Sequence, residues 1–204
     1  MYKNLRAFIA ELERRHELIR VREPVSSELE ITEIADRMVK REGPALLFEN
    51  VEGKDFPVVI GLYGSAARTA LSMGVPNLDA LAERVSKLIQ LNPGKGGLKA
   101  LMGLLPKLGE LKGFFPKRVN GGPVQEVVLR GEQIDLSRIP VLKCWPLDGG
   151  PYITLPIVIT KDPENGELNL GMYRMQVLDK RSTAMHWQLH KVGRRHYDKA
   201  KRLG

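Results

Sequence analysis

Between Asn165 and Lys191 the chain gathers the residue types that bind and orient polar ligands. Thr183 to His190 reads as a strand, and side chains on a strand alternate between faces. His186, Gln188 and His190 then share one face, with Met185, Trp187 and Leu189 on the other. Two imidazoles and an amide, opposite a strand bearing Asn169 and Arg174, suit a metal ion, a cofactor phosphate or a carboxylate. The same pattern equally describes a strand with one wet face. Arg174 is the residue best suited to an acidic partner, because its planar fork matches a carboxylate; an ordinary surface arginine is the alternative. Asn169 and Arg174 are an odd number of residues apart, so a regular strand would send them to opposite faces. A shared site therefore predicts a bulge, with Gly171 as its place. Zinc usually takes three or four nitrogen or sulfur ligands, and Cys144 is the one thiol in the chain. Ser65 and Ser72 have no histidine and acid beside them. The helix carrying Glu28, Glu30, Glu33 and Asp36 reads as a solvated face, and Cys144-Trp145-Pro146 as a packed turn.

Alternating elements come before this segment. Leu5, Phe8, Ile9 and Leu12 fall at helical spacing from Asn4 to about Leu18, with Asn4 as N-cap. Leu18 to Arg22 alternates like a strand. A helix over about Glu28 to Arg41 carries the stripe Ile31, Ile34, Ala35 and Met38, and Gly43-Pro44 stops it. Ala45–Phe48 and Pro57–Leu62 read as buried strands, and Ala66–Met73 and Leu78–Leu91 as helices, with Asn77 or Asp79 capping the latter. Strand and helix in alternation predict an α/β layer arrangement. Asn92 to Gly97 lacks the spacing of a phosphate loop and reads as a connector, and two short helices are expected up to Phe115. Character changes near Pro116. Beyond the linker 118–123, strands are predicted at Val124–Leu129, Tyr152–Lys161, Glu167–Leu178 and Thr183–His190, the last two joined as a hairpin through Asp179 to Ser182. The expected organisation is an α/β unit over 1–117 and the start of an antiparallel sheet or barrel over 118–204. Four strands are few for independent stability, so the sequence reads as incomplete.

The 204 residues carry a formal charge of +8, with 43% apolar and 27% charged residues. This is the composition of an ordinary globular protein. No apolar run is long enough to span a membrane, the N-terminus has no signal-peptide pattern, and a single cysteine fits a cytoplasmic protein. Lys191, Arg194, Arg195, Lys199, Lys201 and Arg202 cluster near the end. No nucleic-acid motif accompanies them, so the simplest reading is a solvated helix face and no nucleic-acid partner.

The stretches Leu29-Glu30-Ile31-Thr32-Glu33-Ile34-Ala35-Asp36-Arg37 and Gly43-Pro44-Ala45-Leu46-Leu47-Phe48-Glu49-Asn50 resemble the N-terminal signature of the UbiD decarboxylases. The resemblance runs on through Ile139-Pro140, Cys144-Trp145-Pro146, Asn169 to Arg174 and His186 to Lys191, in order along essentially the whole chain. It implies an α/β N-terminal domain followed by a flavin-reductase-like split β-barrel, in proteins longer than this one. It implies a prenylated FMN cofactor, a divalent metal (usually manganese) that bridges to the cofactor phosphate, and potassium. By resemblance, Asn169 and His190 match metal ligands. Arg174 matches the arginine that contacts the substrate carboxylate and pairs with a catalytic acid. Met172, Tyr173 and Arg174 match one cofactor-binding stretch and His186, Trp187 and Gln188 another, with Lys191 and Thr154 as further cofactor contacts. A third ligand, a glutamate, and a catalytic Glu or Asp are implied downstream, without counterparts here.

The chemistry implied is non-oxidative decarboxylation of an aromatic or α,β-unsaturated acid. The modified flavin is the electron sink and a carboxylic acid the proton donor. The resemblance points to 4-hydroxy-3-polyprenylbenzoate in quinone biosynthesis, to peripheral membrane contact through a polyprenyl substrate, and to a homo-oligomer in the full-length form. A reading from another class stands beside it: a non-catalytic fragment or split-gene subunit that needs a partner chain to complete the site. A basic binding protein is a third.

Overall fold

In the computed structural model, residues 2–89 and 119–204 are described. The phosphate-loop-like stretch, the two short helices expected before Phe115 and the start of the linker lie outside the described residues.

The first helix, α1 (Leu5–Arg14), begins where expected: Asn4 Oδ1 accepts the Ala7 N–H at 2.9 Å. It leads into β1 (Leu18–Val21), α2 (Glu30–Lys40), β2 (Ala45–Phe48) and β3 (Val58–Ile60). β2 lies at the centre of a three-stranded sheet, parallel to β1 and antiparallel to β3. All four of its residues are buried, and strand alternation sends them to two different cores. Ala45 and Leu47 pack with Phe8 and Leu12 of α1 and with Leu18. Leu46 and Phe48 pack with Ile31 of α2, Val25 and Val51. A continuous apolar run is what a strand covered on both faces needs. Next come α3 (Ala66–Ser72) and α4 (Leu78–Ile89). Asn77, rather than Asp79, supplies the α4 cap, its Oδ1 accepting the Ala80 N–H at 2.8 Å.

Among the described residues, Arg68 on α3 is the largest fully buried side chain, 1% exposed. Its guanidinium donates to Glu17 Oε2 at 2.7 Å, Gly43 O at 3.0 Å and Gly61 O at 3.2 Å. One side chain thus ties α3 to the ends of three other segments. Arg68→Met is expected to lower the unfolding free energy by about 3 kcal/mol, the lower end for breaking a buried ion pair because Glu17 keeps some access to water. Urea denaturation of the two proteins checks this.

Residues 134–145 stitch the later part of the chain to this unit. Lys143 pairs with Glu28 at 2.9 Å, Leu29 N donates to Lys143 O at 3.0 Å, and Arg138 pairs with Asp55. The strand expected at Val124–Leu129 does not form. A 3-10 turn occupies Pro123–Gln125, and Val124, Val127, Val128 and Leu129 are exposed. β-branched composition alone does not make a strand without a partner to pair with. Cys144-Trp145-Pro146 is a turn, but Trp145 is exposed.

The two long strands expected beyond Tyr152 each split. β4 (Tyr152–Ile153) and β5 (Ile157–Lys161) are separated by Thr154-Leu155-Pro156, where proline interrupts the ladder. β6 (Leu168–Met172) and β7 (Met175–Val177) are separated by Tyr173-Arg174. β8 (Thr183–Met185) is shorter than expected: His186 to Gln188 are irregular and Leu189-His190 form a turn before α5 (Val192–Leu203). The alternation inferred for His186, Gln188 and His190 therefore does not apply. The hairpin at Asp179 to Ser182 is present, with Val177 opposite Thr183.

β4, β7 and β8 form one sheet, and β5 and β6 another. The described residues form no closed barrel. α5 packs on β5 and β6. The polarity of this hairpin is inverted relative to its helix. Thr160 and Asn169, directly paired, are half-buried, while Ile157, Ile159, Leu168, Leu170 and Met172 make the exposed face.

Candidate functional site

The break after Met172 decides the local geometry. Gly171 stays in regular register opposite Val158, so there is no bulge there. The chain leaves the ladder at Tyr173 instead, and Tyr173 is buried. Its ring lies against Gly171 and Gly193, where a Cβ on either glycine would collide with it. These two positions need glycine for close approach, not for backbone freedom. The Tyr173 hydroxyl accepts the Gly193 N–H at 2.8 Å. Trp187 meets the Tyr173 ring edge-on at 5.4 Å and stacks on Tyr197 at 5.6 Å. Lys191 reaches over Tyr173, its Nζ 5.1 Å from the ring centre, and donates to Met172 O at 3.1 Å.

Asn169 joins this cluster. Its Nδ2 donates to Thr160 Oγ1 at 3.3 Å and to the Tyr173 hydroxyl at 3.4 Å. With the nitrogen tied inward, Oδ1 is the free end of the amide and takes no hydrogen bond among the described residues. An amide oxygen is a suitable donor for a hard divalent ion, and imidazole extends the choice to manganese-type metals. Asn169 and His190 fit the implied metal in donor type. They are two ligands, and among the described residues no group of three His, Cys, Asp or Glu side chains could hold a metal ion.

Arg174 follows Tyr173 and is exposed. Its guanidinium lies 4.5 Å above the Tyr152 ring, and Tyr152 is itself fixed by a 3.2 Å hydrogen bond to Gln176. The guanidinium has no acceptor among the described residues, so its donors are open to a ligand. Its backbone carbonyl accepts the His186 N–H at 3.0 Å, which brings the second predicted stretch beside the first. Asn169, Tyr173, Trp187 and Lys191 thus come together, and Arg174 follows on Tyr152. Met172 is on the exposed hairpin face. Thr154, His186, Gln188 and His190 are exposed and make no side-chain hydrogen bond among the described residues.

Sequence reasoning did not single out Tyr152, Thr160, Asp162, Tyr197 or His196. His196 on α5 and Asp162 at the end of β5 are both buried. Asp162 pairs with Lys199 at 2.7 Å and accepts the Glu164 N–H at 2.9 Å. Lys199 first, then that backbone N–H, hold the Asp162 carboxyl below the usual carboxylate range, to about 2. A depressed folded-state pKa stabilises above the unfolded value and is lost as pH falls through the folded one. Docking of α5 is therefore expected to weaken between about pH 4 and pH 2, and Asp162→Asn to flatten the response. Trp187 fluorescence against pH reads both. Part of the basic cluster is internally paired as well, Arg194 with Asp198 at 2.9 Å. A separate open depression at the β7–β8 turn is lined by charges that pair with one another, Arg181 with Glu132 and Lys180 with Asp135.

Comparison with known proteins matches this arrangement to one group. The 3-octaprenyl-4-hydroxybenzoate carboxy-lyase N-terminal domain matches residues 9–88, and the 3-octaprenyl-4-hydroxybenzoate carboxy-lyase Rift-related domain matches residues 117–204. An uncharacterized protein of Aquifex aeolicus is 48% identical over 205 residues, covering 100% of this chain and 42% of the relative. The UbiD-class enzyme HmfF from Pelotomaculum thermopropionicum, in an evolved dimeric form in complex with prFMN, is 30% identical. It superposes with a TM-score of 0.72 over 98% of this chain and 42% of that one. The vanillic acid decarboxylase of Sedimentibacter hydroxybenzoicus in closed form is 27% identical, with a TM-score of 0.77 over 100% of this chain and 41% of that one. The fold, with mixed helices and strands, is similar to that of these UbiD-class enzymes over nearly the whole of this chain. The chain belongs to the UbiD family, and it spans about two fifths of the length of the relatives it matches. Among the described residues no helix is long and apolar enough to cross a membrane.

Proposed function

We propose that this chain contributes the cofactor- and carboxylate-binding part of a prenylated-FMN-dependent decarboxylase site. The observation that carries the reading is the Tyr173–Trp187–Lys191 cluster flanked by two polar ends that make no hydrogen bond among the described residues, Asn169 Oδ1 and the Arg174 guanidinium. Asn169 and His190 would hold a divalent ion, probe metal manganese, through one amide oxygen and one imidazole. Met172, Tyr173, Trp187, His186, Gln188, Lys191 and Thr154 would line the cofactor. Arg174 would bind the substrate carboxylate and orient the bond to be broken. The prenylated flavin, when bound, supplies the electron sink for the cleaved bond. The residues on this chain would bind and orient it; the proton donor and a third, carboxylate ligand would have to be supplied by other residues. The substrate class is an aromatic or α,β-unsaturated acid, with 4-hydroxy-3-polyprenylbenzoate in quinone biosynthesis as the specific proposal. Potassium, a homo-oligomer, cytoplasmic location and membrane contact through a polyprenyl tail belong to the same proposal, as does the division into units 1–117 and 118–204.

The exposed apolar face of the β5–β6 hairpin favours the second reading in one respect. Ile157 is 74% and Leu170 65% exposed on it, and a face of this kind seeks a cover. Further polypeptide, in the same chain or in a partner, would complete the sheet.

The test is binding. FMN added with Mn²⁺ is expected to quench Trp187 fluorescence, EDTA to reverse the quench, and Asn169→Ala to weaken it at least tenfold. Quenching that is indifferent to metal and to Asn169 would count against the assignment.

A further inference from the structure

We infer that Thr160 and His196 are positioning residues that set which end of the Asn169 amide faces outward. This rests on the proposed role of Asn169 as a metal ligand. The two ends of an amide have nearly the same shape, so hydrogen bonding has to choose between them. Thr160 Oγ1 lies 3.0 Å from His196 Nδ1 and 3.3 Å from Asn169 Nδ2. A hydroxyl has one proton and two lone pairs. If that proton goes to His196 Nδ1, Thr160 can offer Asn169 only a lone pair. The amide must then turn its NH₂ inward and its oxygen outward. The Tyr173 hydroxyl, held by the Gly193 N–H, is compatible with the same choice and accepts from Asn169 Nδ2 at 3.4 Å, but as both donor and acceptor it does not select the amide end, which leaves that choice to Thr160.

His196 must accept at Nδ1 for this to work, and so carry its proton on Nε2. The surroundings favour that tautomer. Nε2 is 3.8 Å from the buried Asp162 carboxylate, and a carboxylate attracts an N–H and repels a lone pair. Asp162 is held in turn by Lys199, which also reaches Glu164 at 2.9 Å. The chain of contacts therefore runs from Asp162 through His196 and Thr160 to Asn169. Its members come from β5, β6 and α5, so α5 docking is what completes it.

The decisive variants are Thr160→Val, which keeps the shape and loses the hydroxyl, and Thr160→Ser, which keeps the hydroxyl and loses the branch. The probe is Mn²⁺ alone, read by paramagnetic broadening of the Asn169 and His190 resonances in the whole chain. Thr160→Val is expected to weaken binding 10–100-fold, the usual cost of losing a partner that orients a ligand. Thr160→Ser should stay near wild type. A merely structural role of Thr160 in the strand gives the reverse order, with valine best tolerated, and that order overturns the inference. A metal-free arm decides independently. In ¹⁵N spectra His196 should carry its proton on Nε2. The Asn169 NH₂ protons should exchange slowly in wild type and Thr160→Ser, and quickly in Thr160→Val. A proton on Nδ1, or slow exchange in Thr160→Val, overturns the inference. If Asn169→Ala leaves Mn²⁺ binding unchanged, the metal assignment fails, and the metal-free arm still tests the orienting network by itself.

Discussion

Arg174→Lys, made in an enzyme that joins this chain to the rest of its relatives' length, is expected to lower turnover by on the order of 10²-fold, the scale of losing one donor to a reacting group. The fold should survive. Arg174 is exposed, and its contact within the described residues is the stack on Tyr152. Such an exposed cation–π pair is worth about 0.5–1 kcal/mol, too little to unfold a domain. What the change removes is geometry. A guanidinium offers two parallel donors to the two oxygens of a carboxylate, whereas an ammonium is a point charge on a flexible stem. The Tyr152 face holds the guanidinium plane, and Gln176 holds Tyr152, so the fork is partly preorganised before a ligand arrives. Lysine would keep the positive charge and lose the alignment. The measurement is carbon dioxide release under saturating acid, with circular dichroism to check folding. Near-normal turnover by a folded variant would remove Arg174 from carboxylate recognition.

A polypeptide of these 204 residues alone, supplied with prenylated flavin and manganese, is expected to release carbon dioxide at least about 10²–10⁴-fold more slowly than an ordinary enzyme, the usual share of general acid catalysis. Asn169 and His190 give a metal one amide oxygen and one imidazole. A hard divalent ion prefers several oxygen donors, and a pair without a carboxylate adds no negative charge. Among the described residues no third His, Cys, Asp or Glu completes such a group. Groups that act as a unit also fail together, so a missing proton donor and a metal held by two ligands rather than a full set will not be rescued by the residues that remain. The hairpin face of Ile157, Ile159, Leu168, Leu170 and Met172 points the same way, since among the described residues nothing covers the sheet that carries Asn169. Turnover typical of an enzyme from this polypeptide would show that the site is complete within it.

Much of the first unit was legible in the sequence because its signals are local. Asn4 announces α1 through a cap made three residues away, and the apolar run Ala45–Phe48 announces a strand covered on both faces. The residue types that make up the candidate site were legible too. Asn169, Tyr173, Arg174, Trp187 and Lys191 could be named from type and resemblance, since an amide, a guanidinium and aromatic rings carry their chemistry with them. Their arrangement was not legible. Periodicity predicted one strand through Tyr173 and another through His190, and both end early. On a regular strand, a site shared by Asn169 and Arg174 needs a bulge, with Gly171 as its place. The chain instead leaves the ladder at Tyr173, because burying that ring between Gly171 and Gly193 outweighs continuing the strand. That choice depends on α5, distant in sequence, lying against the hairpin. The same docking turns Thr160, His196 and Asp162 from unremarked polar residues into a buried network. The sequence by itself determined which functional groups the chain carries and the local elements that hold them. Only the tertiary structure decided which of those groups are buried, which hydrogen bonds orient them and which ends stay free, because burial and pairing are contacts between segments that no local pattern contains.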